Sequence, residues 1–149
     1  MRTPSTPTMA TLLLQTFQCL IEQLVAELDN AGYHDIRSAH SRVFEHLPAR
    51  GARVARMAEA AQMTQQSMTE LVQYLERLGY VERSPDPSDG RAKLVRLTRS
   101  GKKLSAKGTA IMSKIDASWE AGLGKGRMRE MRSALTDVLE LCGRGDYSR

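Results

Sequence analysis

One stretch constrains this chain more than any other. "TQQSMTELVQYLERLGY", Thr64 to Tyr80, runs without a break into "VERSPDPSDGRAKLVRLTRSG", Val81 to Gly101. In the first part Met68, Leu71, Val72, Leu75 and Leu78 recur at helical spacing. Thr64 is placed to cap the start, and Gly79 fits a C′ stop. In the second part "YVERS" reads as a strand, "PDPSDGR" as a turn and "KLVRLT" as the return strand. Asp89-Gly90 is expected to supply the turn chemistry. Leu94 and Arg96 then project to one side of the hairpin, and Lys93, Val95 and Leu97 to the other.

The residues before this stretch complete a pattern. "RVARMAEAAQM", from Arg53, is a short helix with Val54, Met57, Ala58 and Ala61 turned inward. It meets the following helix across a tight turn near Gln62 and Met63, which makes a helix-turn-helix. A hairpin directly after the second helix of such a unit is a wing.

The flanks are helical. Leu13, Phe17, Leu20, Leu24 and Leu28, widened by Leu14, Ile21 and Val25, give an amphipathic helix from about Thr11 to Asn30, ended by Gly32. "DIRSAHSRVFEHL" places Ile36, Ala39, Val43 and Leu47 on one face of a second helix, stopped by Pro48 and Gly51. After the hairpin, Thr98 is positioned to cap a long helix to about Ala121, with Leu104, Ile111, Ile115 and Trp119 on its buried side. "GLGKG" breaks it. A last helix carries Met128, Met131, Leu135, Val138 and Cys142 as a heptad-like seam suited to partner helices. The expected organisation is a loose tail over 1–10, a dimerisation helix over 11–34, a winged helix-turn-helix over 35–97 and dimerisation helices over 98–149. The fold class is mainly α, with a small β-hairpin wing and a helical dimerisation region.

Charge follows the same map. The net charge is +5, and residues 50–107 hold 12 basic and 6 acidic side chains, while residues 1–49 are net negative. A basic surplus around a hairpin is the footprint of a nucleic-acid partner. The outward face of the second helix carries Thr64, Gln65, Gln66, Ser67, Thr69 and Gln73, short or amide side chains able to read base edges or phosphates. Arg91 sits at the wing tip, with Lys93 and Arg96 beyond, and an arginine there suits a narrow minor groove. Asp89 is odd beside phosphates. Its expected role is to bond loop amides and orient a guanidinium.

Other chemistries find little support. "GLGKG" neither follows a strand nor matches a dinucleotide fingerprint. His34, His40 and His46 lie six residues apart, a poor spacing for helical metal ligands, so no metal or cofactor is expected and the chain does not read as an enzyme. Cys19 and Cys142 are far apart. Cys19 reads most simply as a packing residue, with a redox-sensing thiol as the alternative. The polar residues Gln15, Gln18, Glu22 and Gln23 argue against a secretory or membrane segment in the first helix, so a soluble cytoplasmic protein is expected.

The residues from Thr64 to Leu104 resemble the signature of the MarR family. Leu75-Glu76-Arg77-Leu78-Gly79-Tyr80-Val81-Glu82-Arg83 leads to Asp86-Pro87-Ser88-Asp89-Gly90-Arg91, then to Leu97-Thr98-Arg99-Ser100-Gly101. The resemblance implies a homodimer whose terminal helices interlock and whose two winged lobes grip a pseudo-palindromic double-stranded DNA site. It implies a transcription regulator, most often a repressor, in many members released by a small aromatic or lipophilic effector; as a separate expectation, His40, His46 and Trp119 are the residues to line such a cleft. Residues 64–73 would face the major groove, Arg91 the minor groove, and Arg83 and Lys93 would add DNA contacts. Three residues depart from the pattern. Gly90 stands where many members have a second arginine, and Ala55 where a capping Thr or Ser often begins the first helix of the helix-turn-helix. Cys19 is not in the context of peroxide-sensing members. A rival reading is a winged-helix protein-interaction module without sequence-specific DNA binding.

Overall fold

The computed structural model describes residues 6–143. Among them the chain forms α1 (Met9–Asn30), a 3-10 turn (Ser38–His40), α2 (Ser41–Glu45), α3 (Val54–Ala60), α4 (Gln65–Arg77), β1 (Val81–Asp86), β2 (Asp89–Leu97), α5 (Arg99–Leu123) and α6 (Lys125–Leu141). It divides into two units, the first ending at Ile111 and the second starting at Met112, with α5 running through the junction.

Helix boundaries in the first unit are set by local hydrogen bonds. Thr8 Oγ1 accepts from the Thr11 N–H at 3.2 Å, so α1 starts at Met9, two residues before the expected Thr11. Of the tail expected over 1–10, residues 1–5 lie outside the described residues and Met9 and Ala10 are helical. α1 closes with the Gly32 N–H on the Asp29 carbonyl and the Tyr33 N–H on the Leu28 carbonyl, each at 2.9 Å. The same paired closure ends α4, through Gly79 on Glu76 and Tyr80 on Leu75.

The segment after α1 differs from the expected single helix. Ile36, Val43 and Leu47 are buried as expected, but Ala39 is exposed and His40 is buried instead. His40 Nδ1 accepts the Arg37 N–H at 2.9 Å, and its ring stacks on Tyr74 at 4.6 Å with planes 13° apart. These contacts stabilise a tighter 3-10 turn, whose three residues per turn bring position 40 inward where an α-helix would have presented position 39.

The core of the first unit lies between the helix-turn-helix and the root of the hairpin. Val43, Met57, Met68, Val72, Leu75, Val81 and Val95 are all fully buried. The turn joining α3 and α4 sits at Gln62 and Met63 as expected, with Gln62 at a φ of 54°. Truncating Leu75 to alanine would cost about 2–5 kcal/mol by cavity formation.

The hairpin corrects the expected turn. Its tip is Pro87-Ser88, not Asp89-Gly90, which already belong to β2. The antiparallel register runs from Val81 opposite Leu97 to Pro85 opposite Lys93, and then jumps to Asp86 opposite Asp89. Gly90, Arg91 and Ala92 therefore bulge from β2 without partners. The jump comes where the Asp86 carboxylate accepts both the backbone N–H and the hydroxyl of Ser88, closing the chain before Asp89-Gly90 is reached.

Ala52 adds a short third pairing that the sequence pattern did not reveal. It exchanges hydrogen bonds with Val95 at 3.1 and 2.8 Å. Gly51 makes this approach feasible: its φ is +85°, and a Cβ there would lie 2.7 Å from both the Val95 carbonyl oxygen and Arg96 Cγ. At the start of α5, Thr98 Oγ1 accepts the Gly101 N–H at 3.0 Å and donates to the Gly79 carbonyl at 2.6 Å. One threonine thus caps α5 and ties it to the end of α4. Leu104 and Ile111 are buried along α5.

The second unit holds the rest of α5 and α6. The break expected over "GLGKG" is narrowed to Gly124, at a φ of +88°, and Gly126 is helical. Asp116 pairs with Arg132 at 2.7 Å, and Ile115 and Met128 are buried. Leu135, Val138 and Leu141 remain 39%, 50% and 87% exposed.

Candidate nucleic-acid interface

α4 is two-sided. Met68, Val72 and Leu75 point into the core, and Gln65, Gln66, Ser67 and Gln73 are exposed on the other side. Gln65, Thr69 and Gln73 recur every fourth residue and so form one row. No hydrogen bond within the described residues holds the Gln65 and Gln73 amides, which leaves both donors and acceptors available. Thr69 is half-buried and its hydroxyl donates to the Gln65 carbonyl at 2.7 Å.

Thr64 has a local duty. Its Oγ1 accepts the Ser67 N–H at 3.1 Å and donates to the Ser67 hydroxyl at 2.8 Å. Thr64 and Ser67 thus shape the helix start, where unpaired amides favour a phosphate. Glu70, missed in the sequence reading, stands on the same exposed side and accepts from Gln66 at 3.4 Å. A carboxylate there repels phosphates and suits the exocyclic amine of cytosine.

On the wing, Arg91 and Lys93 are exposed, and no carboxylate among the described residues pairs with either side chain. Arg83 is placed differently. It is half-buried at the root of the wing, with Nε 3.3 Å from Glu76 Oε2 at the end of α4. It braces strand against helix and does not sit beside Arg91.

The two carboxylates of the wing tip, Asp86 and Asp89, are engaged by the protein. Asp89 Oδ1 accepts the Arg91 N–H at 3.1 Å, and Asp89 Oδ2 lies 3.4 Å from Arg53 Nη2. Asp86 is buried, and its Oδ2 accepts from Arg53 Nε at 2.7 Å and Nη2 at 2.6 Å. The Ser88 hydroxyl, the Ser88 N–H and the Arg53 guanidinium together hold the Asp86 carboxyl down to about 2. The guanidinium that Asp89 faces is therefore that of Arg53, which the sequence reading did not single out. No local signal marks it: Arg53 precedes α3 as its N-cap residue but makes no side-chain cap hydrogen bond there.

Of the three residues expected to line an effector cleft, His40 and His46 belong to the first unit and Trp119 to the second. His40 is an interior residue stacked on Tyr74, and burial, followed by the Arg37 charge, lowers its pKa. His46 lies at the end of α2, 3.9 Å from Glu45. Two open grooves of about 450 and 410 Å³ instead run along α1, one lined by Phe17, Ile21, Glu22, Ser38 and Arg42, the other by Glu22, Val25, Asp29, His34 and Arg37. Arg42 lies over the Phe17 ring at 5.7 Å. Cys19, expected to pack, is exposed, and its sulfur accepts from Gln23 Nε2 at 3.2 Å.

A helix-turn-helix whose second helix leads into a braced hairpin defines a winged-helix fold. Residues 34–92 match the sequence model of the MarR family. Among solved structures, MepR of Staphylococcus aureus, a transcription regulator of the multidrug efflux pump MepA, is 24% identical. The alignment covers 91% of this chain and 99% of that one with a TM-score of 0.68. A MepR mutant bound to an oligodeoxyribonucleotide, also 24% identical, aligns over 92% and 99% of the two chains with a TM-score of 0.59. CouR of Rhodococcus jostii RHA1, bound to p-coumaroyl-CoA, is 24% identical over 87% and 90%, with a TM-score of 0.68. No curated protein sequence matches significantly. At these identities the likeness is one of fold, and the fold of this chain is that of these solved structures.

Proposed function

We propose that the protein is a cytoplasmic regulator of transcription that binds a pseudo-palindromic double-stranded DNA site as a homodimer, most simply as a repressor that occludes a promoter. The observation that carries this is the row of α4 formed by exposed Gln65 and Gln73 with half-buried Thr69 between them, followed by a wing whose Arg91 and Lys93 pair with no carboxylate among the described residues. The row suits base edges in a major groove, and the wing cations suit the adjacent minor groove. Exposed apolar residues on α1 (Leu12, Leu13, Leu14 and Phe17) and α6 (Leu135, Val138 and Leu141) supply the faces for a second copy. Recognition helices in such a dimer would stand about one DNA turn, roughly 34 Å, apart.

Selection of bound duplexes from a random pool tests this reading. A two-fold symmetric consensus is expected. Recovery of no enriched sequence would favour a winged-helix module that binds protein. On a selected duplex, Arg91→Ala is expected to weaken binding and reduce the salt slope by about one counterion.

Effector control is a second reading, favoured by the grooves along α1. The groove that sets Phe17 and Ile21 beside Arg42, with Glu22 also in its lining, suits a small aromatic molecule carrying a polar or anionic group. A thermal-shift screen of small aromatic acids is expected to yield stabilising members that also release DNA. No stabilisation by any member would leave a regulator without such an effector.

A further inference from the structure

The wing tip is held from outside the hairpin by one residue. We propose that Arg53 is the positioning residue of the wing, fixing through Asp89 the direction in which Arg91 leaves β2. This rests on the DNA-binding reading given above.

Arg53 stands just before α3, in extended conformation, so its side chain departs from a rigid element. Two nitrogens of its guanidinium, Nε and Nη2, engage one oxygen of Asp86 at 2.7 and 2.6 Å, and Nη2 also lies 3.4 Å from Asp89. A planar fork used in this way sets direction as well as distance. Each carboxylate then passes the constraint on with its other oxygen. Asp86 Oδ1 binds the N–H and hydroxyl of Ser88, which sets the turn, and Asp89 Oδ1 binds the N–H of Arg91. That last bond matters because Gly90, Arg91 and Ala92 have no cross-strand partners, so the ladder itself does not orient Arg91. A chain of contacts thus runs from the start of α3 through Asp89 to the backbone of the exposed cation. With both carboxylates on Arg53, its charge is largely answered inside the protein, and Arg91 is left to face the DNA.

The test is a double-mutant cycle on a duplex recovered by selection with the wild-type protein. Arg53→Gln and Arg91→Ala are each expected to weaken binding on the order of tenfold, and the double variant to be no weaker than either alone. Arg53→Lys keeps the charge but not the fork and is expected to stay impaired. Hydroxyl-radical footprints should lose protection at the flanking minor grooves and keep it over the central major grooves, a pattern that general loss of fold would not produce. Additive losses, full affinity in Arg53→Lys, or unchanged binding in Arg53→Gln would overturn the proposal in favour of a direct phosphate contact or none. Should Arg53→Gln fail to fold, Asp89→Asn replaces it. The amide oxygen can still accept from Arg91 while the attraction for Arg53 is weakened. Loss of the flanking footprint is expected, and an intact one overturns the proposal. If the wild type selects no duplex, the DNA-binding reading falls and this proposal with it. If the wild type binds and footprints normally and the variants match it, only the role of Arg53 falls.

Discussion

At position 101 the chain has room for a hydrogen and nothing larger. A Cβ on Gly101 would sit within contact distance of Tyr80, 1.9 Å from its carbonyl oxygen, in the first turn of α5. Gly101→Ala must therefore push α5 from the end of α4, and by analogy with overpacked cores it is expected to destabilise by about 1–3 kcal/mol. Thermal or urea unfolding would measure it, and an unchanged midpoint would show that the two helices separate freely. Two titrating side chains give predictions of opposite range. Burial favours neutral His40, so the unfolded chain takes up the proton first. Stability is then expected to be flat above about 6.5 and to decline as pH falls below it. His40→Phe should flatten that decline in urea midpoints taken at pH 7.5 and 5. Asp86, held at about 2 by Ser88 and Arg53 from an ordinary 3.8, contributes stability that is complete above about 4 and lost toward pH 2. Asp86→Asn should remove the acid-dependent step in that window.

At the scale of elements, α4 is the most self-determined part of the fold. Thr64 caps it, Met68, Val72 and Leu75 bury it, and Gly79 and Tyr80 close it. Thr64→Ala is expected to cost about 1 kcal/mol in urea unfolding and to weaken DNA binding, because the cap also arranges Ser67. Period and caps made α3, α4, α5 and α6 readable from sequence, since each is fixed by neighbours within a turn or two. What escaped is set by distant residues. The hairpin tip moved because Asp86 captured Ser88 before Asp89-Gly90 could form the turn. The Ala52 pairing depends on Val95, forty-three residues away in sequence. Ala39 gave way to His40 because Tyr74 offered a stacking face. Among the candidate site residues, the exposed row of α4 and Arg91 were legible as surface positions. The pairing of Arg53 with Asp86 and Asp89 spans more than thirty residues and carries no local periodicity.

For the molecule as a whole, the exposed apolar faces bear on how it exists in solution. α1 is long and apolar enough to cross a membrane, with a mean hydropathy of 1.3 in its most apolar window. Its polar residues Gln15, Gln18, Glu22 and Gln23, and the exposed seam of α6, suit a second copy of the chain better than lipid. On the homodimer reading proposed above, Phe17→Glu is expected to shift sedimentation from dimer to monomer at micromolar concentration while leaving the fold of the first unit intact. A variant that remains dimeric would remove α1 from the interface. The charge of the wing has a kinetic consequence. Arg53 and Arg91 are offset at the tip by Asp86 and Asp89, so the tip contributes almost no net field at long range. On the DNA-binding reading, diffusional capture should then be steered by the other cations between residues 50 and 107, Lys93 and Arg96 included, and the Arg91 tip should act only after contact. Its loss would leave the association rate nearly unchanged and shorten the lifetime of the complex.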